Sequence, residues 1–425
     1  MDLNPGRPAK GLSDDALRDA TARAALAYFW DFAHPDSGMA RERSAGAFGY
    51  DTNRIVTSGG SGFGVMALVV GAARGWLERD AVAGRIARIA AFLEQAETHH
   101  GIFPHFLDGS TGATVPFSPT DDGGDLVETS FLMAGLLTAR QAFADRADIT
   151  GPVTRLWEAA DWTAHVRELE HPGDHGLMWH RSDRHPWTDK SLPIRGWNES
   201  LITFVLAAGS PTHPIDPAIY HRSWAKAEEF RNGRDYHGIR LPLGPELGGP
   251  LFLAHYSFLG LDPRGLADDY ADYGEQVRAH ALVNRAHCIA NPGGFAGYGP
   301  ACWGLTASDS TVGYAAHSPT NDIGVVTPTG AVASMPFVPV EAMAALRHFV
   351  DDRGETLWGP YGLADAFEPG GDWVAPGSLA IDQGPIVIML ENHRSGLIWD
   401  LFMAVPEVRT GLARLGFRSP RLPVA

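Results

Sequence analysis

The stretch Gly123-Gly124-Asp125-Leu126-Val127-Glu128-Thr129-Ser130-Phe131-Leu132-Met133-Ala134-Gly135-Leu136-Leu137 decides how the rest of the chain is interpreted. It opens with two glycines and continues as an apolar helical run whose only acidic side chains are Asp125 and Glu128. Because residues three apart share a helix face, both carboxylates are predicted to project together from the first turn. Carboxylates on an enclosed helix are stable only when they are paired, hydrogen-bonded or protonated. The same spacing also fits an N-cap and its capping-box partner, so a purely structural role stays open at this point.

Helices that are apolar on every side alternate along the chain with helices that are apolar on one side only. The segments from Phe63 to about Trp76 and from Trp197 to Ala208 are almost wholly apolar, whereas 14–32 and 79–97 carry charges along one face. A helix that is hydrophobic all round must be enclosed by protein, while its amphipathic neighbour faces water. Further helices are expected at 157–166, 217–231, 251–259, 266–289, 340–350, 378–390, 398–404 and 408–415, with 293–322 as an extended surface loop.

This alternation predicts the fold class. Roughly a dozen helices, few convincing strands and no fixed repeat period favour an all-α toroid, in which an outer ring of helices surrounds an inner ring. In such a fold the inner helices start at the same end, so their first turns converge on one cavity. Asp125, Glu128, Glu199 and Asp382 all lie in or near such first turns. The convergence favours a chemical role for these acids over simple helix capping.

Composition narrows the classes of partner. The chain has 425 residues, of which 44% are hydrophobic and 20% charged, as expected for a folded protein with a large core. Its formal net charge of −16 and its lack of a basic cluster argue against nucleic acid or an anionic membrane as partner. A neutral or cationic ligand fits better. The two cysteines, Cys288 and Cys302, cannot build a disulfide framework or a four-cysteine zinc site; buried thiols are expected, with a single bridge as the alternative.

The N-terminal segment gives an expectation about location. Residues 1–13 are polar and proline-containing and lack the apolar run of a signal peptide, and no later segment is long enough to span a membrane. The chain as written is expected in the cytoplasm, or in the periplasm if a leader has been removed.

Carboxylates that meet in one cavity suit glycoside cleavage. That reaction needs one acid to protonate the departing oxygen and one base to activate water or to attack directly. A helix N-terminus favours the charged form that a base requires, while burial or a neighbouring carboxylate raises the pKa of the acid.

Aromatic residues in the predicted loops support a sugar ligand. Flat rings cover the C–H faces of a pyranose, and nearby Arg, Asn and His side chains bind its hydroxyls. The rings expected at the open end of the toroid are Trp179, Trp187, Trp197, Trp303, Trp358, Tyr298 and Tyr361.

Three rival interpretations stay open. His171, His175, His180 and His185 share one loop, but they lack any ligand spacing with mechanistic content, so no metal is expected. The glycine-rich run 58–64 could receive a phosphate at a helix N-terminus, yet it lacks the residues of a P-loop, and close packing at the cavity floor is expected instead. A sugar 2-epimerase would need paired cavity histidines, for which His105, His180 and His255 are the candidates.

Several long strings resemble a known family. Together they cover most of the chain, and the sequence resembles the glucoamylase-like domain of bacterial endo-β-1,2-glucanases, glycoside hydrolase family 144. The matching strings are 62–76 (GFGVMALVVGAARGW), 100–112 (HGIFPHFLDGSTG), 123–143 (GGDLVETSFLMAGLLTARQAF), 193–215 (PIRGWNESLITFVLAAGSPTHPI), 247–264 (LGGPLFLAHYSFLGLDPR), 302–310 (CWGLTASDS) and 380–403 (AIDQGPIVIMLENHRSGLIWDLFM).

The resemblance implies a single (α/α)6 barrel over residues 14–420, after an N-terminal extension at 1–13. It implies hydrolysis of β-1,2-glucan to short sophoro-oligosaccharides without a metal or other cofactor, with inversion at the anomeric carbon. Glu199 is expected to be the general acid, and the base is left between Asp382 and the pair Asp125 and Glu128. The residues expected to bind substrate are Arg195, Trp197, Trp179, His180, His105, Trp303, Tyr298 and Tyr361.

The same fold and substrate leave other reactions open. A transglycosylase acting on β-1,2-glucan and an exo-acting enzyme that releases sophorose are the alternatives that the resemblance brings with it. The oligomeric state is not predicted.

Overall fold

A computed structural model describes residues 2–45, 52–119, 121–170, 173–184 and 192–422. His171, His185 and Trp187 of the histidine- and tryptophan-rich loop lie outside these described residues. The described residues form fourteen α-helices, which are α1 (Asp14–Asp31), α2 (Ser58–Ala73), α3 (Arg79–Leu93), α4 (Leu126–Ala142), α5 (Ala147–Ala159), α6 (Leu201–Gly209), α7 (Phe252–His255), α8 (Tyr273–Ala290), α9 (Pro328–Val332), α10 (Pro339–Arg347), α11 (Gly354–Leu357), α12 (Ala380–Arg394), α13 (Leu397–Met403) and α14 (Pro406–Arg414).

Burial divides these helices into two rings. All nine residues of α6 are buried, and α2, α4, α9 and α12 are likewise buried along most of their length. The short helix α7, continued by a 3₁₀ turn at Ser257–Leu259, completes six inner segments. Helices α1, α3, α5, α8 and α10 keep part of their surface exposed and alternate with the inner helices along the chain, although residues 24–29 of α1 are buried on every side. The predicted (α/α)6 barrel is confirmed.

The remaining outer element, between α6 and α7, is irregular, and here the sequence prediction was wrong. Instead of a helix over 217–231, the chain makes one π-helical turn at Tyr220–Trp224 and then enters a β-hairpin. The hairpin pairs Arg231–Tyr236 with Ile239–Leu243. The helical turn ends where Trp224 packs against Phe204 and Phe230, with ring centroids 5.0 Å apart in each pair, and the hairpin follows.

Two more helix predictions need correction. The helix expected at 157–166 lies earlier, at α5, and is followed by a 3₁₀ turn at Trp162–His165. The long helix α8 begins at Tyr273 rather than at Leu266, because Asp272 accepts a hydrogen bond from the Glu275 N–H and caps it.

The glycine-rich run belongs to helix α2 rather than to a turn. Helix α2 starts at Ser58, and its glycines allow α4 to approach closely. A Cβ atom on Gly62 would lie 2.1 Å from the Phe131 carbonyl oxygen, and one on Gly135 would lie 2.1 Å from the Gly62 carbonyl oxygen. No side chain fits at either crossing point. The close packing expected of this run is confirmed.

The strands are short and belong to the connections between helices. The strands of the described residues are β1 (Ile55–Thr57), β2 (Phe106–Asp108), β3 (Thr114–Val115), β4 (Gly124–Asp125), β5 (Val166–Glu168), β6 (His175–Leu177), β7 (His180–Arg181), β8 (Arg231–Tyr236), β9 (Ile239–Leu243), β10 (Ala307–Ser308), β11 (Ala315–Ala316), β12 (Trp358–Gly359) and β13 (Gly362–Leu363). Strands β1, β2 and β3 form one antiparallel sheet in that order. The remaining strands form two-stranded sheets, which are β4-β7, β5-β6, β8-β9, β10-β11 and β12-β13.

The segment 293–322 is less exposed than the sequence prediction proposed. It contains strands β10 and β11, and Cys302, Trp303 and Leu305 are buried within it. Both cysteines are free and buried, so the alternative of a single bridge is wrong. Across the described residues, no helix combines the length and apolar character needed to cross a membrane.

Candidate active site

A cavity of about 230 Å³ opens at the end of the barrel where the inner helices begin. Its wall includes the residue that caps α2, the first turns of α4 and α12, the turn before α6, and α7. Its polar and charged lining residues are Glu42, Arg43, Thr57, His105, Glu128, Glu199, Tyr256 and Tyr314, and its larger apolar ones are Phe106, Phe117, Val127, Phe131, Trp179, Phe252, Leu379 and Ile381.

Asp125 caps helix α4. Its Oδ1 atom accepts hydrogen bonds from the backbone N–H groups of Val127 and Glu128, each at 3.0 Å. Its Oδ2 atom lies 3.2 Å from His105 Nδ1. The side chain is fully buried and does not line the cavity. Burial alone would raise the pKa of Asp125, but the hydrogen bond to His105 and the charge of His180 outweigh burial and lower it.

Glu128 does not complete the capping box. Its Oε2 atom accepts a hydrogen bond of 2.8 Å from the Gly59 N–H in the first turn of the neighbouring helix α2. The helix N-terminus that the sequence analysis weighed as a phosphate site therefore holds a carboxylate of the protein itself. Burial raises the pKa of Glu128, although the charge of His105 opposes this rise. The side chain faces the cavity, so the structural and chemical roles coexist.

Two histidines surround the buried end of this pair. Pairing of β4 with β7 sets Asp125 opposite His180, whose Nδ1 atom lies 3.6 Å from Asp125 Oδ2 and 3.3 Å from Asp121 Oδ1. Burial would lower the pKa of His105, but the carboxylates of Glu128, Asp125 and Asp121 overcome burial and raise it to about 9. The pKa of His180 is also raised, against burial, by Asp121 and Asp125. The carboxylates thus stabilise the charged form of both histidines.

The cluster of His105, Asp121 and Asp125, of which only His105 lines the cavity, has the donor types of a cation site. Its ligand atoms lie within 4.8 Å of one another. Ligation would require a neutral imidazole nitrogen. The neighbouring carboxylates raise the pKa of His105 to about 9, which favours the protonated ring and opposes ligation.

Glu199 approaches the cavity from the turn before α6, not from within the helix as the sequence indicated. The Ser257 hydroxyl donates to the Glu199 carbonyl oxygen and accepts a 3.0 Å hydrogen bond from the Ile202 N–H, which fixes this turn. Burial, followed by the charges of Glu128 and Asp125, raises the pKa of Glu199 to about 7. Glu199 and Glu128, predicted from separate segments, therefore line one cavity.

Asp382 lies behind the cavity wall. It is buried in the first turn of α12, outside the set of residues that line the cavity, and a hydrogen bond joins its carboxyl group to that of Asp365. Asp365 Oδ1 and Asp382 Oδ2 are buried and have no hydrogen-bond partner among the described residues. Burial and then the charge of Asp365 raise the pKa of Asp382 well above its ordinary value. The surroundings of this pair therefore disfavour a negative charge on both carboxyl groups at once.

The sequence prediction missed a charged group at the cavity. Arg43 Nε donates to Glu42 Oε2 at 2.7 Å, and Arg43 Nη1 donates to both carboxylate oxygens of Asp309 at 2.9 and 3.0 Å. Glu42 and Arg43 both line the cavity, and burial raises the pKa of Glu42 in spite of Arg43. These residues come from an irregular segment before β1, which has no periodicity to mark it. A Glu-Arg dipeptide in a loop was the only available signal.

The aromatic predictions divide into cavity and core. Trp179 lines the cavity, as do Phe117 and Tyr314, which the sequence prediction did not single out. Trp197 is only 4% exposed and stacks on Tyr273 with ring centroids 5.6 Å apart, and Trp303 is fully buried. The structure therefore does not bring Trp197 or Trp303 to the cavity. Their loops fold back into the core, which loop composition alone does not reveal.

Other predicted binding residues also lie away from the cavity lining. The Tyr298 hydroxyl donates to Asp322 at 2.7 Å, and the Tyr361 ring packs against Tyr28 at 5.2 Å. Arg195 is exposed outside the lining. His255 is buried against Ser334, and burial lowers its pKa to about 3. It does not line the cavity, so it does not supply one of the paired cavity histidines that an epimerase needs.

Comparisons with known proteins agree with this architecture. The family model described as "Putative glucoamylase" matches residues 191–406. A solved structure from Bacteroides uniformis with the same description is 50% identical, with a TM-score of 0.92, and the match covers 97% of this chain and 100% of that one. The endo-β-1,2-glucanase from Chitinophaga pinensis, solved with sophorotriose and glucose, is 46% identical, with a TM-score of 0.92 and coverage of 97% and 100%.

A third relative differs in length. The exo β-1,2-glucooligosaccharide sophorohydrolase of Parabacteroides distasonis is 41% identical over 428 residues, which covers 95% of this chain. The chain spans 58% of the length of that relative.

An (α/α)6 barrel with acids gathered where its inner helices begin defines a class, the glucoamylase-like glycoside hydrolases. Within that class the chain belongs to glycoside hydrolase family 144, as its sequence strings indicated.

Proposed function

We propose that this chain hydrolyses β-1,2-linked glucan by acid–base catalysis in the cavity at the start of the inner helices. The observation that carries the proposal is that Glu199, whose pKa is raised to about 7, lines the same cavity as a second carboxylate, Glu128. A carboxyl group that keeps its proton near neutral pH beside a second acid is the pattern that glycoside cleavage requires. Relatives that act on β-1,2-glucan or its oligosaccharides support this choice of substrate.

Glu199 is assigned as the general acid. It protonates the oxygen of the departing sugar, and its high pKa comes from burial and from the charges of Glu128 and Asp125. No cation among the described residues contacts its carboxyl group. Its proton is therefore available at neutral pH, unlike that of an exposed glutamic acid.

The base is assigned to Glu128 in preference to Asp382 or Asp125. Glu128 lines the cavity, whereas Asp382 lies behind the wall with its carboxyl group bonded to Asp365, and Asp125 is fully engaged in its cap and its contact with His105. Glu128 can contact an attacking water directly. Asp382 would need a water or a substrate hydroxyl to relay the proton.

Azide rescue distinguishes the two candidate bases. Glu128→Gln should lose most of its activity, and azide should restore turnover by replacing the activated water, with a glycosyl azide as product. Rescue of Asp382→Asn but not of Glu128→Gln would move the base role to Asp382.

Attack within the glucan chain is the preferred mode of cleavage. The endo-acting relative is 46% identical and is covered over 100% of its length, whereas the sophorohydrolase is 41% identical and is covered over 58%. This difference favours endo action. Release of sophorose from a chain end is the second candidate, favoured by the sophorohydrolase relative.

The deciding experiment is a time-resolved product profile on linear β-1,2-glucan. Endo action gives a mixture of sophoro-oligosaccharides from the first minutes, and exo action gives sophorose alone. Proton NMR of the newly formed anomer tests inversion, for which an α-anomer is expected. Products longer than the starting oligosaccharide would indicate transglycosylation instead. No reaction on any β-1,2-glucoside would refute the proposed function.

A further inference from the structure

Tyr256 has a hydroxyl group that the protein does not use. Of the described residues, four tyrosines are buried, and three of them donate to protein acceptors: Tyr28 to the Arg41 carbonyl oxygen at 2.8 Å, and Tyr220 and Tyr273 to Asp268 at 2.5 and 2.8 Å. Tyr256 is 7% exposed, and no hydrogen bond within the described residues involves its hydroxyl. The hydroxyl oxygen is not itself a buried, unpartnered atom, so the exposed part of this side chain includes its polar end.

The ring of Tyr256 is held firmly in the cavity wall. It stacks on Phe252 with centroids 5.1 Å apart and contacts Phe63 and Phe131 at 5.3 and 5.6 Å. Three aromatic neighbours from three inner segments thus fix its direction. Because the residue lines the cavity, the free hydroxyl is available to a ligand there.

Charges around Tyr256 keep it a neutral hydrogen-bond donor. Burial raises its pKa well above the ordinary value, and Asp382, Tyr314, Glu199 and Glu128 raise it further. The same interactions mean that the phenol lies among the acids of the site. A neutral O–H group among carboxylates is suited to bind a sugar hydroxyl, which can accept from the phenol and donate to a carboxylate.

Tyr314 approaches the same point from the rim. It lies in the turn between β10 and β11, lines the cavity, and is 46% exposed. Both phenols line the same cavity, and Tyr314 is close enough to influence the pKa of Tyr256.

We propose that Tyr256 and Tyr314 form one sugar subsite beside the carboxylates, in which Tyr256 donates a hydrogen bond to a hydroxyl of the glucose unit and Tyr314 covers that unit from the rim. This inference rests on the proposed function and adds two substrate-binding residues to it. Tyr256 belongs to the rigid wall, so it fixes the position of the unit. Tyr314 contributes contact area and is expected to act mainly on affinity.

The test uses Tyr256→Phe, which keeps the ring and its packing but removes the hydroxyl. We expect kcat/KM on sophoro-oligosaccharides to fall roughly 3- to 30-fold, the range for loss of one hydrogen bond to a bound ligand. Tyr314→Ala should raise KM by a similar factor and leave kcat almost unchanged, because it removes binding that ground state and transition state share. Tyr273→Phe is the matched control, because its hydroxyl contacts Asp268 away from the cavity, and it should keep wild-type kinetics.

A second measurement identifies the bonded hydroxyl. Binding of sophorotriose and of its monodeoxy analogues is measured by calorimetry in Glu199→Gln and in Glu199→Gln with Tyr256→Phe. One deoxy analogue should bind more weakly than sophorotriose to the first protein and equally well to the second, which is the non-additivity expected of a direct contact.

The outcomes separate the two proposals. If wild-type protein cleaves β-1,2-glucan but Tyr256→Phe has unchanged kcat/KM and unchanged sophorotriose affinity, the subsite is refuted and the proposed function stands. If wild-type protein neither cleaves nor binds any β-1,2-glucoside, the proposed function itself fails, and the subsite fails with it.

Discussion

Glu199 differs from the other acids of the cavity in what surrounds its carboxyl group. Glu42 pairs with Arg43, Glu128 accepts from the Gly59 N–H, and Asp125 contacts His105. In the described part of the chain, no cation contacts the Glu199 side chain, and burial raises its pKa to about 7. Among the described residues, Glu199 is thus the cavity acid whose carboxyl group is left without a stabilising cation or backbone donor from another residue.

Replacement of this carboxyl group should stop turnover without preventing binding. We expect Glu199→Gln to lower kcat on linear β-1,2-glucan by roughly 10²- to 10⁴-fold, the usual contribution of a general acid. The amide keeps the shape of the side chain, so calorimetry should show nearly unchanged affinity for sophorotriose. Glu158→Gln, on the exposed face of α5, is the control. Retention of more than about a tenth of wild-type kcat would be incompatible with the assigned role.

The pH dependence follows from the same residue. A raised pKa keeps Glu199 protonated below about 7 and allows it to ionise above that value. We expect kcat/KM to fall tenfold per pH unit above this point, since the profile of kcat/KM reports groups of the free enzyme. The residual activity of Glu199→Gln should lack this alkaline limb. If the variant shows the same fall of kcat/KM at the same pH, that fall is caused by a group other than Glu199.

At the scale of elements, contacts between helices build the site. The N-terminal ends of α2 and α4 are joined by the hydrogen bond from Gly59 to Glu128, and their bodies cross at Gly62 and Gly135 without any side chain between them. The geometry of Glu128 therefore depends on how closely these two helices approach each other.

A methyl group at this crossing should separate the helices. We expect Gly62→Ala to lower the free energy of unfolding by about 1–3 kcal/mol, because the new Cβ would lie 2.1 Å from the Phe131 carbonyl oxygen. Activity should fall as well, since the Gly59 contact shifts. The control is Gly84→Ala in α3, where an added Cβ meets nothing within 4 Å. That variant should gain about 0.5–1 kcal/mol from helix propensity. Equal effects at both positions in urea denaturation would contradict this view.

The cap of α4 gives a second test at this scale. We expect Asp125→Ala to lower the free energy of unfolding by about 1–3 kcal/mol, because two backbone N–H groups and the half-buried His105 lose their acceptor. Asp125→Asn keeps a capping oxygen and should lose less. Both are measured by chemical denaturation. Equal losses in the two variants would show that the cap contributes little and that the His105 contact dominates.

At the scale of the whole molecule, the alternation of apolar and amphipathic helices predicted a toroid of inner and outer helices, and the family resemblance supplied its sixfold form. The same logic located Asp125, Glu128 and Glu199, because inner helices of one ring begin at one end. It could not find Glu42 and Arg43, which an irregular segment carries to the cavity. It also could not distinguish Trp179, which faces the cavity, from Trp197, which stacks in the core, since both lie in similar loops.

Net charge leads to a prediction for the complete molecule. The formal charge of −16 would repel an anionic polysaccharide at low ionic strength and would leave a neutral glucan unaffected. We expect kcat/KM on linear β-1,2-glucan to change less than about twofold between about 0.05 and 0.5 M NaCl. A steep rise with salt would point to a negatively charged substrate.

The contact between Glu128 and Gly59 also constrains how this protein can change. Residues devoted to chemistry commonly cost stability, so a lineage that stops needing them can replace them and gain robustness. Here the carboxylate also tethers one inner helix to the next. A descendant that abandoned sugar cleavage would still be selected to keep this glutamate, and its persistence in such a protein would record architecture rather than activity.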